Sequence, residues 1–205
     1  KSSLDGGKTM KKMYKCCAPL LAASLLFLSA CANTPARNHM ESIPAGEAED
    51  GLSPESGEST VSVAFEARDM EGNTVSSDIF SQTRLTMINV WATYCNPCLR
   101  EMPDLGELAG EYEADEFRIV GVISDVMEGS DQKTLDYAAD LVEQTGADYP
   151  HLLLNESLYY ALLTDVAAVP TTFFIDENGV ILDTVVGSMK KSAWEEKING
   201  LLEKE

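Results

Sequence analysis

The chain has 205 residues, 44% of them hydrophobic and 24% charged, a balance that fits one ordinary globular domain with extra segments at its ends and excludes disorder throughout. Fifteen Lys and Arg stand against 34 Asp and Glu, a formal net charge of −19, so a nucleic-acid partner would bind against strong repulsion and is set aside. The acidic balance also discourages approach to anionic lipid, so any membrane attachment must come from something other than charge.

The first predicted element is a leader. Lys11, Lys12 and Lys15 precede an apolar run from Ala18 to Ala30, which is signal-peptide anatomy over residues 1–30. The run is 13 residues long, short of the ~20 that a membrane-spanning helix needs, so a permanent span is the weaker reading. It ends at Leu28, Ser29, Ala30 and Cys31. Those residues resemble the lipobox of bacterial lipoproteins, and the resemblance implies lipidation of Cys31; the alternative is a plain secretory signal with a coincidental cysteine. Several acyl chains on one terminus would give the stable anchoring that a single chain does not.

Residues 31–59 are rich in Pro, Gly, Ser, Glu and Asn and carry no aromatic residue, the composition of a flexible acidic tether. Its root-mean-square span would be roughly 30 Å, enough to hold a small domain off a bilayer. The five cysteines are Cys16, Cys17, Cys31, Cys95 and Cys98. Two would leave with the leader and one would carry lipid, so the mature chain keeps a single Cys-x-x-Cys pair in an oxidising compartment. A structural disulfide is the bland alternative, but closing so short a loop removes little chain entropy.

From Thr60 the pattern becomes that of a folded domain, predicted over residues 60–205. Val61, Val63 and Phe65, then the turn signal Met70–Asn73, then Val75 predict a β-hairpin. The apolar run Leu85, Met87, Ile88, Val90, Trp91 is too continuous for a half-exposed strand and suits one buried on both faces. Leu99, Met102, Leu105, Leu108 and Tyr112 then recur at three and four, so the cysteine pair opens a helix. Pro103 should bend or interrupt it. A second buried strand at Phe117–Ile123 and a helix from Leu135 towards Gly146 make the alternation βαβ. A short apolar piece at Leu152–Leu154, a helical segment near Leu158–Leu163, a strand to Asp176, a turn at Glu177–Gly179, another strand through Val185 and a final helix carrying Trp194 and Ile198 complete the pattern.

The run INVWATYCNPC, Ile88 to Cys98, followed by LREMPDL, resembles the TlpA and ResA branch of thioredoxin-like disulfide reductases, and VPTTFFIDENG, Val169 to Gly179, matches the same family further on. The resemblance implies an α/β, thioredoxin-like fold: a central mixed sheet flanked by helices, with an added N-terminal β-hairpin. At a strand-to-helix junction the first sulfur meets unpaired N–H groups and the positive end of the helix dipole, which favour a thiolate. Cys95 is the expected nucleophile and Cys98 the resolving thiol. Pro97 suits the first helical turn, where a missing N–H costs nothing.

Pro170 resembles the cis-proline of this fold, an ordinary strand-entry proline being the alternative. Val169 before it would face the partner peptide, and Trp91, Tyr94 and Pro97 complete the expected partner-binding surface. Tyr94 stands where many relatives have Trp. Glu101 lies three residues after Cys98, on roughly the same helical face, where ResA-like proteins place an acid; its carboxylate would disfavour the thiolate and exchange a proton with the resolving thiol, unless it is simply a solvated glutamate. Trp91 and Trp194 read as core aromatics, and His151 as structural.

The resemblance implies a thiol-disulfide oxidoreductase that needs no cofactor and no metal. It would act on extracytoplasmic disulfide-containing proteins, with electrons from a membrane donor of the CcdA/DsbD type, in cytochrome c maturation or methionine sulfoxide reductase recycling. Zinc is the rival use of Cys-x-x-Cys but needs more ligands, and only His39 and His151 remain. A thiol-dependent peroxidase, a disulfide-forming oxidase and a noncatalytic partner-binding lipoprotein are the competing functions.

Overall fold

Alternation of buried strands with amphipathic helices is realised over residues 62–204, the part described by the computed structural model. In chain order the elements are β1 (Glu66–Arg68), β2 (Thr74–Ser76), a 3-10 helix (Ser77–Gln82), β3 (Leu85–Trp91), α1 (Asn96–Ala109), β4 (Phe117–Met127), α2 (Gln132–Thr145), β5 (His151–Leu154), α3 (Glu156–Leu158) running into a π-helical turn (Tyr159–Leu163), β6 (Thr171–Asp176), β7 (Ile181–Val186) and α4 (Lys191–Leu202). The leader at 1–30, Cys31, the tether at 31–59 and His39 lie outside the described residues.

The order in the main sheet is β5-β4-β3-β6-β7. β3 runs parallel to β4 and antiparallel to β6, β4 is parallel to β5, and β6 and β7 form an antiparallel hairpin, so the sheet is mixed. Every residue of β3 is buried, as its unbroken apolar run predicts for a central strand covered on both faces. Its period of two sends Ile88 and Val90 into a cluster with Phe65, Phe80, Leu158 and Phe173, and sends Leu85, Met87 and Trp91 to the opposite face, against α1, α2 and α4. Each such aliphatic side chain contributes about 1.5–3 kcal/mol by its burial.

The N-terminal hairpin is present, with its strands set later than Val61–Phe65. Val63 and Phe65 are buried in the extended stretch that leads into β1, and β1-β2 form a separate two-stranded sheet whose turn is bridged to β5 between Asp69 and Leu152. The Val63 N–H bonds the Gly179 carbonyl at 2.8 Å instead of a hairpin partner. α1 continues through Pro103 without interruption. α2 is capped by the Asp131 side chain at its start and ends at Gly146 in the left-handed region, φ 64°. Gly106 of α1 passes that end so closely that a Cβ there would sit 2.1 Å from the Gly146 oxygen, so only glycine lets the two helices meet.

Candidate active site

β3 ends at Trp91, and four residues later Cys95 is the N-cap of α1, in extended conformation with φ −86° and ψ 93°. The Cys95 N–H bonds the Ala92 carbonyl at 3.0 Å, which closes the turn. Pro97 occupies the first turn of α1, where its missing N–H removes no helical bond. The Cys98 backbone N–H points at Cys95 Sγ, 3.2 Å away, as an N-cap acceptor receives it. Cys95 and Cys98 are joined in a disulfide with their Cα atoms 5.3 Å apart. Cys95 is 5% exposed and Cys98 wholly buried, so a partner meets Cys95 first. Once reduced, a Cys95 thiolate in this place receives the amide of Cys98 and the field of the helix terminus.

Antiparallel pairing of Val90 with Thr171 brings the start of β6 to the end of β3. The Val169–Pro170 bond there is cis, as the proline motif suggested. The Val169 carbonyl oxygen lies 3.6 Å from Cys95 Sγ, and the Thr171 hydroxyl bonds the Ala168 carbonyl at 2.7 Å, stiffening the loop. Val169 is half-buried and Pro170 buried. Tyr94 is 73% exposed beside the cysteines, and it shares with Val169, Tyr159, Leu163 and Val166 the lining of a shallow groove of about 240 Å³.

Glu101 is not a solvated glutamate. It is 3% exposed, one turn of α1 beyond Cys98. Its Oε1 accepts from Asn89 Nδ2 at 3.2 Å and its Oε2 from the Met189 backbone N–H at 3.1 Å. Burial pushes its pKa up to about 7; the bonds from Met189 and Asn89 oppose that rise, and the charge of Asp104 adds a little to it. The same Asn89 amide also donates to Thr172 Oγ1 at 3.1 Å, tying the carboxyl to β6. A carboxyl that changes charge near neutrality, one helical turn from Cys98, is suited to carrying a proton.

Trp91 requires a correction. It was expected both as a core aromatic and on the partner-binding surface; it is fully buried in the cluster that holds both cysteines, so it is a core aromatic with no surface to offer a partner. Its place at the end of a doubly covered strand turns the indole inward, where Nε1–H donates to His151 Nδ1 at 3.1 Å. His151 Nε2 lies 3.0 Å from the Ala147 carbonyl, so the imidazole is neutral with its proton on Nε2. Burial holds its pKa down at about 4, against a small opposing effect of the Ala147 bond. His151 is thus structural, as the sequence suggested, and its task is to hold Trp91.

Sequence reasoning missed the other supports. Thr93 is bonded at two points by Asp125, its N–H at 2.9 Å and its hydroxyl at 2.5 Å, and the Ser124 hydroxyl donates to the Trp91 carbonyl at 3.0 Å. Asn89 carried one available signal, an amide inside an otherwise apolar strand. Among the described residues no group of three or more His, Cys, Asp or Glu is placed to hold a metal ion, and no helix is long and apolar enough to cross a membrane.

Residues 60–184 match the AhpC/TSA family. The chain belongs to that family. Within it the relatives are thioredoxin-like thiol-disulfide oxidoreductases. The thioredoxin-like protein YneN of Bacillus subtilis is 35% identical over 55% of this chain and 62% of its own length, so the match spans less than two thirds of that relative. The thiol:disulfide interchange protein DsbE of Escherichia coli is 31% identical over 68% of this chain and 70% of its own. A solved thioredoxin-family thiol:disulfide interchange protein from Chlorobium tepidum superposes with a TM-score of 0.59, at 23% identity, over 70% of this chain and 96% of that one, and shows the fold. The protein is therefore a TlpA/ResA-like thiol-disulfide oxidoreductase of thioredoxin fold.

Proposed function

We propose that this oxidoreductase works in the reducing direction on disulfides of extracytoplasmic proteins, tethered to the membrane by lipid on Cys31. The carrying observation is the stack of Cys95 at the helix N-cap, Cys98 buried behind it and the carboxyl of Glu101 one turn below. The Cys95 thiolate attacks one sulfur of the substrate disulfide; that bond breaks and the departing sulfur takes a proton from solvent. Cys98 then loses its proton to the Glu101 carboxylate and attacks Cys95 Sγ in the mixed disulfide. The second substrate sulfur takes that proton back from Glu101 as it leaves, so two electrons have passed to the substrate, which departs as a dithiol, and the pair closes as the Cys95–Cys98 disulfide.

The Val169–Pro170 edge and exposed Tyr94 give the substrate segment a place to lie. A membrane donor of the CcdA/DsbD type restores the dithiol, and apocytochrome c or oxidised methionine sulfoxide reductase are the substrates that the family kinship supports.

The reduction potential tests the direction. A value nearer ~−270 mV than ~−120 mV is expected, and the opposite places the protein among oxidases. Cys98→Ala should accumulate mixed disulfides through Cys95. Fast peroxide turnover with no reduction of a protein disulfide would overturn the proposal.

A further inference from the structure

We propose that Asp125 is a positioning residue for disulfide exchange: it grips Thr93 at two points and so fixes the turn that presents Cys95 beside Val169. This rests on the reading of Cys95 as the attacking sulfur.

Backbone pairing of β3 with β4 ends at Trp91 and Ile123. Beyond that pair β3 turns toward the cysteines, and the β4 pairing with β5 shifts register between Ile123 and Met127. The ladder can no longer hold the chain that leads to Cys95. The next two residues of β4 take over with their side chains: Ser124 Oγ donates to the Trp91 carbonyl at 3.0 Å, and Asp125 Oδ1 and Oδ2 accept from the Thr93 N–H at 2.9 Å and the Thr93 hydroxyl at 2.5 Å.

Thr93 sits in the middle of the turn closed by the bond from Cys95 N–H to the Ala92 carbonyl. A two-point hold on this residue restrains rotation as well as translation, and one residue separates it from the nucleophile. Asp125 is solvent-exposed yet aims both oxygens at one residue 32 positions earlier in the chain. If the grip loosens, Cys95 Sγ loses its fixed place against the Val169 oxygen, 3.6 Å away, and against the Cys98 amide, 3.2 Å away. Small displacements of a reacting atom cost rate steeply.

Charge and grip are separable. Asparagine at 125 keeps an oxygen for the Thr93 N–H, and its amide can donate to the threonine hydroxyl, which rotates to accept. Asp125→Asn therefore preserves the two-point hold without the negative charge. Asp125→Ala removes both, and Thr93→Val removes the hydroxyl bond alone.

The test uses the full chain. Reduction of insulin disulfides is followed for wild type, Asp125→Asn, Asp125→Ala and Thr93→Val, with Cys95→Ser as control, across pH and alongside the urea midpoint of each variant. Asp125→Ala should lower kcat/KM by about tenfold or more and Thr93→Val by about threefold or more. Both should raise the inflection pH of the attack, because the Cys98 amide no longer meets the sulfur squarely. Asp125→Asn should stay within about threefold of wild type.

An unchanged rate in Asp125→Ala, or an Asp125→Asn loss as deep as that of alanine, overturns the inference. If Asp125→Ala does not fold, Thr93→Val decides, and an unchanged rate and inflection there overturn it equally. An active Cys95→Ser overturns the underlying reading instead, whereas an inactive Cys95→Ser with a fully active Asp125→Ala removes only the role of Asp125.

Discussion

Two buried titratable groups flank the cysteines, and they have exchanged the behaviour that their residue types suggest. His151, on the β5 side, is the type that ordinarily changes charge near neutrality, yet burial holds its pKa down at about 4 with both ring nitrogens engaged. Glu101, on the α1 side, is the type that is ordinarily charged at pH 7, yet burial carries its pKa up to about 7. Residue identity says what can titrate, and the surroundings decide what does. The histidine has become a strut for Trp91, and the carboxyl has become the group that changes charge near neutrality.

The largest effect should come from striking the strut. Gly121 of β4 lies against the imidazole, and a Cβ there would stand 2.2 Å from His151 Nδ1. Gly121→Ala should cost about 3 kcal/mol or more in urea unfolding, because the ring is wedged between bonded neighbours and cannot retreat. Near wild-type stability would show that the imidazole is not held as described.

Next comes Glu101, proposed as the proton carrier. Glu101→Gln should lower disulfide reduction by roughly a hundredfold, the low end of the usual contribution of a positioned proton-transfer group. The rate inflection near pH 7 should vanish with it, while the first attack by Cys95 is little changed. Rapid-mixing measurement of mixed-disulfide formation and resolution separates the two steps.

The pH dependence of stability distinguishes the two groups by sign. The folded Glu101 keeps its proton to higher pH than the unfolded chain, so its contribution is full below about 4.5 and is lost as pH rises through about 7. The folded His151 refuses a proton that the unfolded chain accepts, so its contribution is full above about 6.5 and is lost as pH falls through about 4. Glu101→Gln should therefore reduce the loss of stability between pH 5 and pH 8 by about 2 kcal/mol. The contribution of His151 to the slope on the acid side should remain. Urea titrations at several pH values read both, and an unaltered alkaline slope in Glu101→Gln would place the titration elsewhere.

The smallest effect belongs to the surface. Tyr94→Ala should change stability by less than about 0.5 kcal/mol, since the ring is 73% exposed. It should raise KM for a protein disulfide several-fold with little change in kcat, the signature of lost binding shared by ground and transition states. A fall in kcat alone would move Tyr94 from the partner surface into the chemistry.

Much of this was legible in the chain. Leu85–Trp91 reads as a doubly buried strand because it has no polar alternation, and every residue of it is buried. The helix starting at the cysteines was visible in the spacing of Met102, Leu105 and Leu108, all of which are fully buried. The cysteine pair, its junction position and the proline loop are motifs of neighbouring residues, which sequence displays directly. The partner-surface reading of Trp91 failed for the converse reason. Proximity along the chain to Cys95 suggested contact with partners, and the direction of its side chain depends on which face of the sheet it occupies.

The amino-acid order by itself determined the αβ alternation, the redox pair at a helix start and the carboxylate one turn beyond, because strand and helix periodicity and helix-terminal chemistry act over a few residues. Tertiary structure alone decided how that pair is held and tuned. Thr93 meets Asp125 across 32 positions, Trp91 meets His151 across 60, and Glu101 meets the Met189 amide across 88. Burial of Glu101 and His151 is likewise a property of the assembled layers, and it is burial, more than residue type, that sets when each of them is charged.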